Sequence, residues 1–354
     1  MRETRWQAIA VIMAIFIFGC VVALEGLAAA APQTSGGSGY HLAKKVPLGG
    51  EGGWDYLLAD PATQRVFISR GTHTMVVDAD GKVLGDIPNT QGVHGIALAP
   101  EFDRGFTSNG RANTVTIFDL STLKTISEVK VTGQNPDAIL YDPASKRVFT
   151  FNGRSGDTTA IDAKTGEIVG SVALGGKPEF AQADGTGHVY VNLEDKGQIA
   201  ALDSKALKVL NTWPLAPCEE PSGLAFDVAH NRLFAGCGNK MMAVVNSTNG
   251  KVVATVPIGQ GVDANSFDPG TGFAFASCGD GTLTVAHEDS PDKYTVVDTL
   301  QTERGARTMT VDTKTHTIYT VTAEFGPPPA ATTKNPRPRP TIVPNSFTLL
   351  VLTR

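Results

Sequence analysis

The sequence predicts an all-β fold, a seven-bladed β-propeller in which seven four-stranded antiparallel sheets form a ring. Three observations support this prediction. One unit recurs seven times at spacings of 39 to 44 residues. Each unit carries an aromatic residue at one fixed position. The last unit lacks its fourth strand, and a segment near the N-terminus resembles that missing strand. A repeat of this length with four strands per unit is typical of propeller blades.

The first strand of each unit follows a residue whose identity changes from unit to unit. These seven residues are Asp55, His94, Asp137, Glu179, Ser222, Asp263 and Arg307. Five positions later, six of the seven units have Asp, as in Asp142-Pro143. Asp bonds the backbone of its own turn and Pro presets φ, so a hairpin is expected between the first two strands.

The second strand of each unit alternates around a central aromatic residue, which is typical of a buried strand. The aromatic residues are Phe67, Phe106, Phe149, Tyr190, Phe234, Phe275 and Tyr319. The third strand ends in a polar residue and a turn such as KTGE, and a fourth apolar run follows. Each unit therefore predicts four short antiparallel strands, with one aromatic layer packed between neighbouring sheets.

The seventh unit has no fourth strand at the C-terminus. The segment HLAKKVPLG near residue 41 resembles the other fourth strands and is predicted to complete the last blade. This closure would remove an exposed sheet edge and make residues 40–354 a single domain. The seventh unit also carries a proline-rich insert, 326–345, between its second and third strands, predicted to be an extended loop near the channel mouth.

The N-terminal 31 residues have the pattern of a signal peptide. Arg2 and Arg5 precede an apolar run, and small residues follow at 27–31. Residues 32–39 are polar and glycine-rich, which is typical of a flexible linker. We therefore expect an exported chain, periplasmic or extracellular, with membrane contact only if the apolar run stays uncleaved as an anchor.

Three cysteines follow this region, so one internal disulfide at most is expected. Cys237 and Cys278 occupy the same position in adjacent units, and packed sheets lie too far apart for a bond unless this position is near the axis. Cys218 lies in the loop before the first strand of the unit that contains Cys237. A Cys218–Cys237 disulfide is the preferred pairing, with three free thiols as the alternative.

The variable residues before the first strands are expected to converge around the channel mouth. Hairpin pairing of 137 with 152 and of 222 with 237 would place a second ring beside them: Arg70, Asn109, Asn152, Leu193, Cys237, Cys278 and Thr322. One interpretation is structural: polar strand ends pair with one another, as Asp55 would with Arg70. The other is a binding pocket formed by Asp55, His94, Asp137, Glu179, Asp263 and Arg307.

The same ring contains candidates for metal binding and catalysis. Asp55, Asp137, Glu179 and Asp263 offer oxygen ligands for Ca²⁺ or another divalent cation. His94 and Asp137 are the candidate catalytic residues, with His94 as a general base, although no second catalytic partner is evident. Arg111 and Arg154, in two loops that share Asn-Gly-Arg, would bind a carboxylate or phosphate if they are not simply solvated turn residues.

The repeat units resemble the YVTN-type propeller repeat, and residues 133–172 match its pattern best. The chain as a whole is similar to the YncE-like exported propellers over residues 40–354. This resemblance implies the fold and leaves the function open, because propellers carry unrelated activities. Haem-attachment, P-loop and dinucleotide motifs are absent from the sequence, so no cofactor is evident, and Ca²⁺ or another divalent cation stays open as a ligand of the acidic ring.

We predict a non-catalytic binding or scaffold module that takes a protein or small-molecule ligand at the channel-mouth face. A lactonase-like hydrolase that uses a divalent cation or His94 with the acidic ring is one alternative. An accessory of an exported redox system is another. The net charge of −5 indicates no nucleic-acid partner, and a monomer is expected.

Overall fold

The computed structural model describes residues 37–333, 338 and 340–354. The predicted signal peptide, 1–31, and most of the predicted linker lie outside the described residues. Within them, the chain forms seven four-stranded antiparallel sheets and no α-helix. Among the described residues, no helix is long and apolar enough to cross a bilayer.

The strands follow one another along the chain with four to a blade. Blades 1 and 2 contain β2 (Leu57–Asp60), β3 (Arg65–Ser69), β4 (Thr74–Asp78), β5 (Val83–Ile87), β6 (Val93–Ala99), β7 (Arg104–Asn109), β8 (Thr114–Asp119) and β9 (Thr125–Lys130). Blades 3 and 4 contain β10 (Pro136–Asp142), β11 (Arg147–Asn152), β12 (Asp157–Asp162), β13 (Ile168–Ala173), β14 (Pro178–Ala183), β15 (His188–Leu193), β16 (Gln198–Asp203) and β17 (Lys208–Pro214).

The remaining three blades use the last eleven strands and the first one. Blades 5 and 6 contain β18 (Pro221–Asp227), β19 (Arg232–Cys237), β20 (Met241–Asn246), β21 (Val252–Pro257), β22 (Val262–Asp268), β23 (Phe273–Cys278), β24 (Thr282–Ser290) and β25 (Lys293–Gln301). Blade 7 contains β26 (Met309–Asp312), β27 (Thr317–Thr322), β28 (Thr348–Thr353) and the N-terminal strand β1 (His41–Pro47).

The first strands of the blades form the inner wall of the ring. Each one contacts the first strand of the next blade, from β2 through β6, β10, β14, β18 and β22 to β26, which contacts β2 again. The outer strand of blade 7 is β1, which pairs antiparallel with β28 from His41↔Thr353 to Pro47↔Thr348. The predicted seven-bladed propeller and its closure by the N-terminal strand are therefore confirmed.

The aromatic residue of each second strand is buried in the core. Exposure is 6% for Tyr190 and lower for the other six. Phe106 of blade 2 shares a hydrophobic cluster with Val148 and Ile161 of blade 3, so the ring fills the space between adjacent sheets. Each aromatic side chain removes roughly 150–250 Å² from water, so this layer contributes a large apolar contact between blades.

The turns between first and second strands follow the predicted chemistry. Asp142 accepts hydrogen bonds from the backbone N–H groups of Ala144 (3.2 Å) and Ser145 (3.0 Å). Blade 2 has Ala99 at this position, and there the turn is a 3₁₀ helix, Pro100–Phe102, closed by Asp103 with φ of 52°. Without an Asp side chain to bond the turn, the backbone closes it instead.

A disulfide joins the loop before blade 5 to the second strand of that blade. Cys218 and Cys237 form a disulfide, with their Cα atoms 5.5 Å apart, and Cys278 is a buried free thiol.

At the base of the proline-rich insert, Phe325 pairs with Ile342 as an isolated antiparallel bridge. None of the insert's described residues lines the channel-mouth cavity discussed below.

Candidate functional site at the channel mouth

In five of the seven blades, the variable residue before the first strand lies at a β-bulge. In blade 3, Pro136 pairs with Asn152, and the next pair is Ile139 with Thr150. Similar register shifts occur at the start of the first strand in blades 2, 4, 5 and 6. A bulge removes a residue from the ladder and re-aims its side chain. The fold therefore leaves the residue at position 137 and its counterparts free to vary.

The expected strand pairing was wrong by one residue. The structure pairs Pro136 with Asn152 and Pro221 with Cys237, because the bulge takes up the residue that follows each proline. As a result, the predicted second ring does not face the channel mouth. Its seven members, from Arg70 to Thr322, are 5% exposed or less.

Neighbouring blades hold the bulged backbone in place. The Ser108 hydroxyl of blade 2 donates to the Asp137 carbonyl of blade 3. The Asn192 amide donates to the Ser222 carbonyl at 2.8 Å, and the Ser277 hydroxyl donates to the Arg307 carbonyl at 2.5 Å. These side chains come from second strands, so the packing of blade on blade positions the residues of the mouth.

His94 lies between two aspartates from the blades on either side of it. Its Nδ1 is 2.5 Å from Asp55 Oδ2 and 3.6 Å from Asp137 Oδ1. One ligand atom from each of these three residues lies within 4.8 Å of the other two. Gly110 permits this arrangement, because a Cβ at that position would lie 2.6 Å from His94 Nε2.

Arg307 connects the next part of the ring. Its Nε is 2.5 Å from Asp263 Oδ2, and its Nη2 is 3.8 Å from Asp55 Oδ1. The Ser222 hydroxyl donates to Asp263 Oδ1 at 3.1 Å. Six of the seven variable residues, all but Glu179, therefore form a continuous polar arc, which no single blade contains.

Glu179 has a different partner, Lys177, two residues earlier in the same blade. The Lys177 ammonium is 2.6 Å from Glu179 Oε1 and also contacts Glu194. The four predicted calcium ligands thus do not form one group. Asp55 and Asp137 meet at His94, whereas Glu179 pairs with Lys177 and Asp263 with Arg307.

Burial and crowding of like charges shift the pKa values of the mouth. Burial raises the pKa of Asp137 to about 6, although His94 opposes the shift. Burial and the neighbouring Asp137 raise the pKa of Glu179 to about 8 against the effect of Lys177. Burial also raises the pKa of Asp263. Some of these acids therefore hold protons near neutral pH.

His94 behaves in the opposite way from an isolated buried histidine. Burial lowers its pKa, but the hydrogen bond to Asp55 and the charges of Asp137 and Asp55 outweigh this and raise it to about 9. At pH 7 the ring is an imidazolium, which cannot accept another proton. This protonation state argues against His94 as a general base at neutral pH.

The mouth opens into a cavity of about 510 Å³. Six carboxyl groups and one arginine are the charged groups among its described lining residues: Asp55, Asp137, Glu179, Glu194, Glu220, Asp263 and Arg307. The floor is Tyr56, whose ring stacks on Phe180 with centroids 4.3 Å apart. A second cavity of about 450 Å³ lies beyond this pair and is lined mainly by apolar first-strand residues.

The remaining predicted residues lie away from the cavity. Arg111 and Arg154 are exposed on their loops, and neither lines the mouth. The expected Asp55–Arg70 pair is absent from the described contacts. The Arg70 guanidinium lies 3.4 Å from the centroid of the Phe347 ring and donates to the Glu51 carbonyl at 2.9 Å.

Sequence reasoning missed Lys177, the partner of Glu179, and Tyr56, the floor. Both lie within two positions of a variable ring residue, so a wider window around each ring position would have included them. The Asn-Gly-Arg pattern predicts only a turn at Gly110, whereas in the structure this glycine also leaves space for the His94 ring.

Fold and site together define the class: a seven-bladed β-propeller with an acidic pocket at one mouth of its channel. A solved structure of Kuenenia stuttgartiensis hydrazine synthase is similar, with a TM-score of 0.65 and 17% sequence identity over 80% of this chain and 95% of that chain. At that identity the similarity shows the fold alone. No protein-family model matches this chain, and no curated protein sequence is similar enough to count as a relative.

Proposed function

We propose that this propeller is a binding module whose channel mouth takes up a cationic group, from a small organic cation or from a basic segment of a partner protein. The observation that carries the proposal is the excess of acid at the mouth: six carboxyl groups line the cavity, against Arg307 and the two cations that contact four of them, His94 and Lys177. Asp137 and Glu179 have raised pKa values because each is buried among other acids. A bound cation would relieve that repulsion and release their protons.

The proposal predicts a pH dependence with a definite sign. A cation binds the ionised form of a carboxyl group, so affinity should rise as pH increases through the pKa values of about 6 and about 8. Loss of the proton from His94, with a pKa of about 9, acts in the same direction because it removes a competing positive charge.

The test is fluorescence anisotropy with a labelled penta-arginine peptide at constant ionic strength, with a penta-glutamate peptide as the probe control. Asp137→Asn combined with Glu179→Gln should weaken binding at least about tenfold, since hydrogen bonds between charged groups contribute roughly 1.5–3 kcal/mol each. The matched control, Asp80→Asn with Glu101→Gln, removes two exposed carboxylates that lie outside the cavity lining. Equal weakening by the two double variants would refute a specific site at the mouth.

A second candidate function is a cation-dependent hydrolase of the lactonase type. It is favoured by the group of Asp55, His94 and Asp137, whose ligand atoms lie within 4.8 Å of one another. An imidazole with two carboxylates suits a first-row divalent cation better than Ca²⁺, which prefers oxygen ligands alone. Lactone hydrolysis that requires an added divalent cation and is lost in Asp55→Asn would establish this function in place of simple binding.

We propose further that the chain is exported and belongs with the YncE-like YVTN propellers, on the N-terminal sequence pattern and the repeat pattern. Mass spectrometry of the mature protein tests export, since cleavage near residue 31 removes a defined mass. The role as an accessory of an exported redox system is a weaker proposal, because it rests on the resemblance alone.

A further inference from the structure

The outer hairpin of blade 6 is longer than those of the other blades. Strands β24 and β25 have nine residues each, whereas every other strand has four to seven. The extension packs against blade 5. Arg232 donates through Nε to the Pro291 carbonyl at 2.7 Å, and its Nη2 lies 2.7 Å from Asp292 Oδ1. The Tyr294 ring meets Phe234 edge-on, with centroids 5.4 Å apart.

This extension brings Glu288 to a His–Asp pair in the first turn of blade 5. His230 Nδ1 is 2.6 Å from Asp227 Oδ2 and 3.0 Å from Glu288 Oε1. The two carboxyl groups are buried, with side-chain exposures of 3% for Asp227 and 5% for Glu288, whereas His230 is 52% exposed. One ligand atom from each residue lies within 4.8 Å of the other two.

The protein's own hydrogen bonds do not satisfy this group. Nδ1 of an imidazole carries at most one proton, and the closer Asp227 oxygen receives it. Glu288 Oε1 is buried and has no hydrogen-bond partner among the described residues. Two ionised carboxylates cannot donate to each other. The nearby Arg232 guanidinium is already bonded to Asp292 and to backbone carbonyls. A buried carboxylate without a partner is costly.

We propose that Asp227, His230 and Glu288 form a binding site for a first-row divalent cation, with Zn²⁺ as its best representative. One imidazole nitrogen and two carboxylate oxygens match the donors that Zn²⁺ uses, and three protein ligands leave the fourth tetrahedral position to solvent. Metal–ligand bonds of about 2.0–2.2 Å require ligand atoms roughly 3.4 Å apart. His230 Nδ1 lies 2.6 Å and 3.0 Å from the two carboxylate oxygens, so this exposed side chain reaches that separation from each of them by moving less than about 1 Å.

The site belongs to blades 5 and 6 and is separate from the channel mouth. It lies at the turns between first and second strands, which propeller topology places on the face opposite the start of the first strands. Blade 4 has a comparable pair in the same turn, His188 Nδ1 at 2.7 Å from Asp184 Oδ2. Among the described residues no third ligand joins that pair. It therefore provides an internal control.

The test is isothermal titration of untagged, EDTA-treated protein with Zn²⁺, together with thermal melting with and without the metal. Glu288→Gln and His230→Gln should each weaken Zn²⁺ binding at least about tenfold and abolish the rise in melting temperature. His188→Gln should retain both effects. His230→Gln alters an exposed side chain, so it remains informative if Glu288→Gln folds poorly.

Two outcomes would overturn the proposal. Wild-type protein that binds no Zn²⁺ would overturn the metal site and leave a protonated Glu288 that donates to Asp227 as the account of this group. This alternative is consistent with the effect of burial and of Asp227, which raise the Glu288 pKa. Binding that persists in Glu288→Gln but disappears in His94→Gln would move the metal to the channel mouth.

Discussion

Replacement of His94 by Gln should flatten the dependence of stability on pH between about 6 and 9.5. His94 has a pKa raised from 6.5 to about 9 in the folded protein. A group with a raised folded pKa stabilises fully below its unfolded pKa, and this contribution is lost as pH rises through the folded value. At 1.36 kcal/mol per pKa unit, the contribution is about 3 kcal/mol. It should disappear between about pH 6.5 and pH 9.

The His94 side chain is only 26% exposed, so solvent screens its charge contacts little. The stabilisation of about 3 kcal/mol is therefore not reduced for screening. The raised pKa of Glu179 also makes the folded protein less stable as pH rises, and this group is present in both proteins. The assay is urea unfolding, followed by tryptophan fluorescence, of wild type and His94→Gln at pH 6, 7.5 and 9.5. The wild type should lose about 3 kcal/mol more than the variant across this range.

Two further measurements separate the charge effect from general damage. Gly110→Ala removes no titratable group but places a Cβ 2.6 Å from His94 Nε2, so it should displace the ring and reduce the pH dependence. His316→Gln removes a different His–Asp contact, of 2.7 Å to Asp268, and controls for the loss of such a contact. Parallel pH profiles for wild type and His94→Gln, or an NMR titration of His94 near 6.5, would refute the reasoning.

Three other predictions follow from the fold. Cys218→Ser should lower the free energy of unfolding by about 3 kcal/mol, because it opens a 19-residue loop. Urea unfolding without reductant measures this loss, and reduced wild-type protein, which should unfold at the same urea midpoint as the variant, is the control. Phe149→Ala should lower the free energy of unfolding by about 3–5 kcal/mol in the same assay, whereas Leu84→Ala, at an exposed position, should change it by about 0.5 kcal/mol or less. Equal losses in the two variants would contradict an aromatic layer that holds the blades together. Deletion of residues 41–47 should expose the edge of β28 and produce oligomers in size-exclusion chromatography, whereas a stable monomer would show that ring closure does not need β1.

The repeat was visible in the sequence because the physics that builds each blade is local. Asp142 closes its own turn, Phe149 packs at a fixed position in an alternating strand, and these choices recur every 39 to 44 residues. The missing fourth strand of the last unit predicted that the N-terminal segment would close the ring. Such patterns depend on turn chemistry and on the two-residue period of a strand, and both are set by residues close together in the chain.

The channel-mouth contacts depended on tertiary structure. The ring positions were evident from the repeat, but their partners come from other blades: His94 meets Asp55 and Asp137, and Arg307 meets Asp263. Arg70, expected beside Asp55, turns instead onto Phe347. A bulge at the start of the first strands shifts the pairing by one residue, and the sequence pattern carries no signal for that shift.

The sequence by itself determined the number of blades, their strands and the position of the variable ring, because each follows from contacts between residues close in the chain. Only the tertiary structure decided which charges meet across blades, because the partners of His94 and Arg307 are 39 or more residues away and come together through the closure of the ring. The same reason applies to Glu288, which reaches Asp227 and His230 only because an extended hairpin of blade 6 folds against blade 5.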